Sequence, residues 1–169
     1  MHVYVETAKR AVEEYILHRR VITPPDPLPP EFSLKAGIFI CLKAQGELRG
    51  CIGTFLPCEA NLFREIVRNA ISAATADPRF LPVEADELEG LEYTVDILSE
   101  PERVESASDL DPKKYGVIVE KGRRKGLLLP DLEGVDTVEE QLRITKMKAG
   151  IAPDDQDVQL FRFLVERYH

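Results

Sequence analysis

A cysteine set between two glycines and close to an arginine is the feature of this chain best suited to chemistry: Leu48-Arg49-Gly50-Cys51-Ile52-Gly53-Thr54-Phe55. The thiolate is the nucleophilic form of cysteine, and a neighbouring cation or helix N-terminus lowers the thiol pKa enough to populate it. Arg49 shares strand parity with Cys51, so a regular strand sends both side chains to one face. A helix expected from about Ala60 can aim its N-terminus at the same place. No internal histidine is available as a base, because His2, His18 and His169 lie near the chain ends. A carboxylate such as Asp77 or Glu59 would have to take that role. The competing reading makes Cys51 a small apolar packing residue or a ligand contact. Glycine weakens strand interiors, so Gly50 and Gly53 mark a place where a ligand, a substrate or another part of the chain nears the backbone.

Asp77-Pro78-Arg79-Phe80 adds a charged pair in a tight turn. In one reading Asp77 caps or bonds to backbone and Arg79 pairs with it. In the other, Arg79 and Arg49 converge on an anion, for which the planar guanidinium fork suits carboxylate or phosphate. The hydroxyls of Thr54 and Ser72 read as locally satisfied rather than catalytic, and Thr54 joins Arg49, Gly50, Gly53, Asp77 and Arg79 as the expected ligand-binding set. No glycine pattern matches a P-loop or a dinucleotide fingerprint.

The three cysteines, Cys41, Cys51 and Cys58, lack paired zinc-ligand spacing and have no histidine nearby, so neither a metal site nor a cofactor is expected. Register decides whether two of them meet. A two-residue turn at Gln45-Gly46 puts Gly50 opposite Cys41, whereas a three-residue loop brings Cys41 and Cys51 face to face. An odd cysteine count fits reduced thiols in a cytoplasmic protein, and the expectation leans against a disulfide.

The elements that must position these residues follow from periodicity. Residues 3–20 read as an amphipathic helix through Ala8, Ala11, Val12, Tyr15 and Ile16. Pro24 to Pro30 form an extended connection pinned at Leu28 and Phe32. Gly37–Lys43 and Leu48–Phe55 form a hairpin about Ala44–Glu47. A helix from Ala60 to Thr75 buries Leu62, Phe63, Ile66, Val67, Ala70, Ile71 and Ala74, stopping before Pro78. Leu91–Leu98 alternates as a half-buried strand, with Asp96 on its polar side. Tyr115–Lys121 and Gly126–Leu129 flank a basic tip of Lys121, Arg123, Arg124 and Lys125, read as a solvated turn with phosphate or RNA contact as the sharper alternative. Thr137-Val138-Glu139-Glu140 is a capping box opening a helix that ends at Gly150. Gln159–Tyr168 reads as one final strand.

Antiparallel hairpins without regular strand–helix alternation indicate an α+β fold: an antiparallel or mixed sheet with packed helices. At 169 residues the chain fits a single domain over 1–169, with part of its middle as a smaller lobe. The net charge of −8 argues against general nucleic-acid binding, which depends on neutralising phosphates. No signal peptide or membrane span is visible, so a soluble cytoplasmic protein is expected.

The motif Leu48–Phe55 resembles the signature of the AMMECR domain family. The similarity continues through the alanine-rich helix, Asp77–Phe80, Leu88, Val95–Ser99 with Pro101-Glu102, Gly126–Pro130 and Lys148–Ile151. Glu140–Ile144 is similar to the prokaryotic branch, AmmeMemoRadiSam system protein A. The resemblance implies an α+β fold with a larger body built from both ends of the chain and a smaller lobe across a cleft. It also implies a pathway shared with a Memo-like protein and a radical SAM protein, acting on a nucleic acid or a small molecule. The expected function is that of a ligand- or partner-binding component with a cleft near Cys51, taking a small molecule or nucleotide. The alternative is an enzyme using Cys51 as nucleophile in modification of RNA or a small molecule. The chain departs from common family patterns at Tyr115, where many members carry histidine, at Asp131, where glutamine is frequent, and in having no tryptophan.

Overall fold

The apolar stripe of the first helix explains where the first core forms. The structure, a computed structural model, describes residues 1–169. Helix α1 (Val3–His18) buries Tyr4, Val5, Ala8, Ala11 and Val12. It stops short of residue 20 because Arg19 adopts left-handed geometry, φ 53°, and its N–H closes the last turn onto Glu14 and Tyr15. The proline segment then runs to a 3-10 turn at Pro30–Phe32. Phe32 is buried and packs edge-on against Tyr4 and Phe63, while Leu28 is half-buried against the same core.

Strands β1 (Ile38–Ala44) and β2 (Glu47–Thr54) form the expected hairpin, with Gln45 and Gly46 both at positive φ, 54° and 79°. That geometry matches strand twist in two-residue hairpins. The register contains a bulge that sequence periodicity did not signal. Lys43 lies opposite Leu48, but Leu42 lies opposite Gly50, leaving Arg49 as the extra residue. Helix α2 (Leu62–Thr75) begins two residues later than expected, because Asn61 Oδ1 accepts the Arg64 N–H at 3.0 Å and sets the cap there. Strand β3 (Leu91–Leu98) follows a 3-10 turn at Ala85–Gly90.

The remaining elements are β4 (Glu102–Val104), β5 (Gly116–Lys121), β6 (Arg124–Leu128), α3 (Val138–Lys148), β7 (Gln159–Phe163) and β8 (Val165–Tyr168). Two four-stranded sheets result, ordered β2-β1-β3-β8 and β4-β7-β5-β6, with antiparallel pairing in each, so the fold is α+β. The chain divides into two compact units, one of residues 1–97 and 166–169, the other of residues 98–165. The first unit's core gathers α1, α2 and the apolar sides of β1 and β3. The second has its own core about Val104, Leu110, Val117, Val119, Leu128, Val135 and Ile151.

Three sequence expectations change here. The final strand is interrupted at Leu164, and its halves join different sheets. Ser99 is the reason visible locally: its N–H donates to the Leu164 carbonyl and its Oγ accepts the Leu164 N–H. The polar side of β3 is not solvated at Asp96, which is buried and held by the Arg167 guanidinium through two 2.7 Å hydrogen bonds. At the start of α3, Thr137 Oγ1 accepts the Glu140 N–H at 3.2 Å, but the Glu140 carboxylate turns to Arg143 instead of closing a capping box.

Candidate functional site at the edge of the first sheet

The bulge at Arg49 decides the fate of Cys51. By restoring one residue to the register, it sets Cys51 directly opposite Cys41 on β1, and the two sulfurs are joined in a disulfide. The expectation of unpaired thiols is therefore corrected. A two-residue turn is present, as one reading had it, but the bulge cancels the one-residue offset this turn would otherwise impose. Cys58 is the free cysteine, and it is exposed.

The backbone of Cys51 is held from outside the sheet. Strand β2 lies at a sheet edge, and the turn after α2 covers it at this point. The Cys51 N–H donates to Asp77 Oδ2 at 2.9 Å, and Arg79 Nη2 donates to the Cys51 carbonyl at 3.4 Å. Arg79 also donates to Asp77 through Nε at 3.0 Å, Nη2 at 2.8 Å and its own backbone N–H at 3.1 Å. The Asp77 side chain is only 2% exposed, whereas that of Arg79 is 56% exposed. Hydrogen bonds from the Arg79 guanidinium, aided by the Cys51 and Arg79 N–H groups, hold the Asp77 carboxyl well below the usual carboxylate range despite burial. A carboxylate so engaged is a poor proton acceptor.

Arg49 does not share the Cys51 environment in the way strand parity implied, since it is the bulged residue. Its Nε and Nη2 donate to the two carboxylate oxygens of Glu87 at 2.8 and 3.0 Å, and Nη1 donates to the Leu81 carbonyl at 2.9 Å. Those Arg49 hydrogen bonds, with one from the Glu84 N–H, draw the Glu87 carboxyl below its ordinary pKa. The two arginines approach one another only through Phe80, whose ring centroid lies 5.9 Å from the Arg49 guanidinium and 5.6 Å from that of Arg79. Each arginine thus already has a carboxylate partner.

The glycines serve contacts within the chain. A Cβ on Gly50 would collide with the Ala73 carbonyl oxygen of α2, and one on Gly53 with the Ile38 carbonyl and Phe39. Thr54 Oγ1 donates to the Leu56 carbonyl at 2.8 Å, the local satisfaction its position suggested. Glu59 accepts from Arg68, and its own N–H donates to Glu65 at 2.7 Å. Glu65, fully buried on α2, also accepts the Cys58 N–H at 3.0 Å. It secures the loop between β2 and α2, a role missed in the sequence. The signal was there: a carboxylate between Leu62 and Ile66 on an apolar helical stripe. Glu87 gave none, lying in a run of acids. No group of three or more His, Cys, Asp or Glu side chains is arranged to hold a metal ion.

Residues 5–168 match the family described as AMMECR1. The chain belongs to the AMMECR1 family. A protein of Thermotoga maritima is 60% identical over 99% of this chain and 97% of its own length. One from Clostridium acetobutylicum is 48% identical over 98% of this chain, which spans only 35% of that longer protein. The crystal structure of an uncharacterized protein from Pyrococcus horikoshii superposes with a TM-score of 0.89 at 37% identity, over 97% of this chain and 88% of that one. The AMMECR1-family motif Leu48–Phe55 is therefore, in this chain, a braced edge: a disulfide on one side of β2, the Asp77–Arg79 clamp along its rim, and α2 against Gly50.

Proposed function

We propose that this AMMECR1-family chain is a cytoplasmic binding component of a pathway shared with Memo-like and radical SAM proteins, and that it engages a Memo-like protein through the surface beside Cys51. The observation that carries this reading is Leu81. Its side chain is 84% exposed, yet its carbonyl is tied to Arg49 in the turn that also presents Phe80 and Arg79. An apolar side chain held outward on a braced turn gives a partner surface to bury, and the half-exposed Arg79 guanidinium beside it is a residue type enriched at binding hot spots. No helix of the chain is long and apolar enough to cross a membrane.

The alternative, a Cys51 nucleophile acting on RNA or a small molecule, draws less support. Cys51 is joined to Cys41, and Asp77, the nearest carboxylate to its backbone, is bound to Arg79.

Calorimetric titration of the purified chain with a Memo-like protein tests the proposal. Leu81→Asp and Arg79→Glu should each weaken association by about tenfold or more. Absence of a complex, or an affinity in both variants unchanged from that of the unsubstituted chain, would refute it.

A further inference from the structure

The second unit encloses a cavity of about 220 Å3 between β4, α3 and β7. Its least expected wall is Lys146. This residue sits on the inner side of α3 and is 4% exposed, although lysine is almost never so buried unless paired. Its Nζ carries three donors and makes one hydrogen bond, to the Pro153 carbonyl at 3.3 Å, with no carboxylate in salt-bridge range. Asp155, on the loop beyond α3, is hydrogen-bonded by Lys121 and attracts Lys146 only from beyond contact distance. Arg103, on β4, lines the same cavity and likewise has no acid partner.

Such a cation is stabilised when an anion reaches it, and the cavity admits one. Its charged lining is Lys146, Arg103 and Glu105, leaving one net positive charge. That balance suits a monoanion and disfavours a phosphate dianion, which Glu105 would repel. Beside the amides of Gln156 and Gln159, the remaining walls include Val104, Leu142, Val158 and Leu160, an apolar patch that can take the hydrocarbon body of a ligand. We propose that this cavity binds a small aliphatic monocarboxylate, its carboxylate between Lys146 Nζ and the Arg103 guanidinium and its chain against these four side chains. The site is built from residues of the second unit alone, and it stands or falls independently of the proposal for the Arg79 surface.

Titrations of the full chain with acetate, pentanoate and inorganic phosphate, followed by amide NMR shifts, decide the matter. Pentanoate should bind about tenfold or more tighter than acetate, because its extra methylenes leave water. Phosphate should bind more weakly than pentanoate. Lys146→Met, one atom shorter, keeps an unbranched side chain and removes a buried charge with no carboxylate in salt-bridge range, so its melting temperature should not fall, while pentanoate binding is lost. Arg103→Gln, on an exposed position of a sheet-edge strand, should weaken pentanoate about tenfold and serves if Lys146→Met fails to fold. Shifts that never saturate, phosphate matching pentanoate, acetate matching pentanoate, or undiminished binding in the folded variant would each overturn the assignment.

Discussion

Asp77 shows how one side chain can hold a motif together without reacting. It accepts the Cys51 N–H, which an edge strand would otherwise turn to solvent, and the guanidinium of Arg79. Truncation by Asp77→Ala leaves that N–H and a cation without their acceptor, and should cost about 2–4 kcal/mol in urea unfolding. Arg79→Ala takes the guanidinium from a buried carboxylate that keeps its two backbone N–H donors, and should cost about 1–2 kcal/mol, less than Asp77→Ala. The pH dependence has a definite sign. Because the folded-state pKa of Asp77 lies below its unfolded value of about 3.9, its stabilisation is complete above that pH and fades as acid protonates it. The destabilisation caused by Asp77→Asn should therefore shrink below about pH 4. A gap that stays constant on acidification would assign the stabilisation to something other than the carboxylate's charge.

At the scale of elements, the hairpin and α2 are one packing unit. Gly50 lets the helix backbone approach the strand, so Gly50→Ala must push α2 off the sheet and should destabilise by about 2 kcal/mol or more. Gly46→Ala meets open space and only a positive φ, with an expected cost near 1 kcal/mol. Equal losses in the two variants would contradict the close approach. The disulfide across the hairpin closes a short loop, for which chain entropy gives about 2–3 kcal/mol of stabilisation. Alkylation of the folded, unreduced protein should mark Cys58 alone, with Cys41 and Cys51 appearing in mass spectra only after reduction. Labelling of Cys51 before reduction would show that the bond does not form in solution.

For the whole molecule, the chain leaves the first unit after Ile97 and returns to it at Glu166. The returning strand matters because Arg167 neutralises Asp96, whose side chain is 1% exposed. Deleting residues 166–169 strands a buried carboxylate in the first unit. The expected loss is about 2–3 kcal/mol, below the cost for a fully buried pair because Arg167 itself is 39% exposed. Thermal unfolding followed by circular dichroism would measure it, with Arg167→Met as the milder variant. An unchanged transition in both would mean that Asp96 does not depend on Arg167.

The amino-acid sequence alone determined the pieces whose causes are local. Helical stripes placed α1 and α2, the end signals at Thr137 and Gly150 placed α3, alternation placed β3, Gln45-Gly46 placed the turn, and Leu48–Phe55 with Asp77–Phe80 located the braced edge and carried the family resemblance. Which atoms meet was decided only by tertiary structure. The bulge at Arg49 arises from the pairing of two strands, and a one-residue slip there exchanges Gly50 for Cys51 opposite Cys41. The break at Leu164 has no turn residue to announce it, since its cause is a hydrogen-bonding partner, Ser99, far off in sequence. The sequence left Arg79 either as the partner of Asp77 or as one end of an anion site with Arg49, because sequence shows charges but not their partners. Folding supplied Glu87 to one and Asp77 to the other.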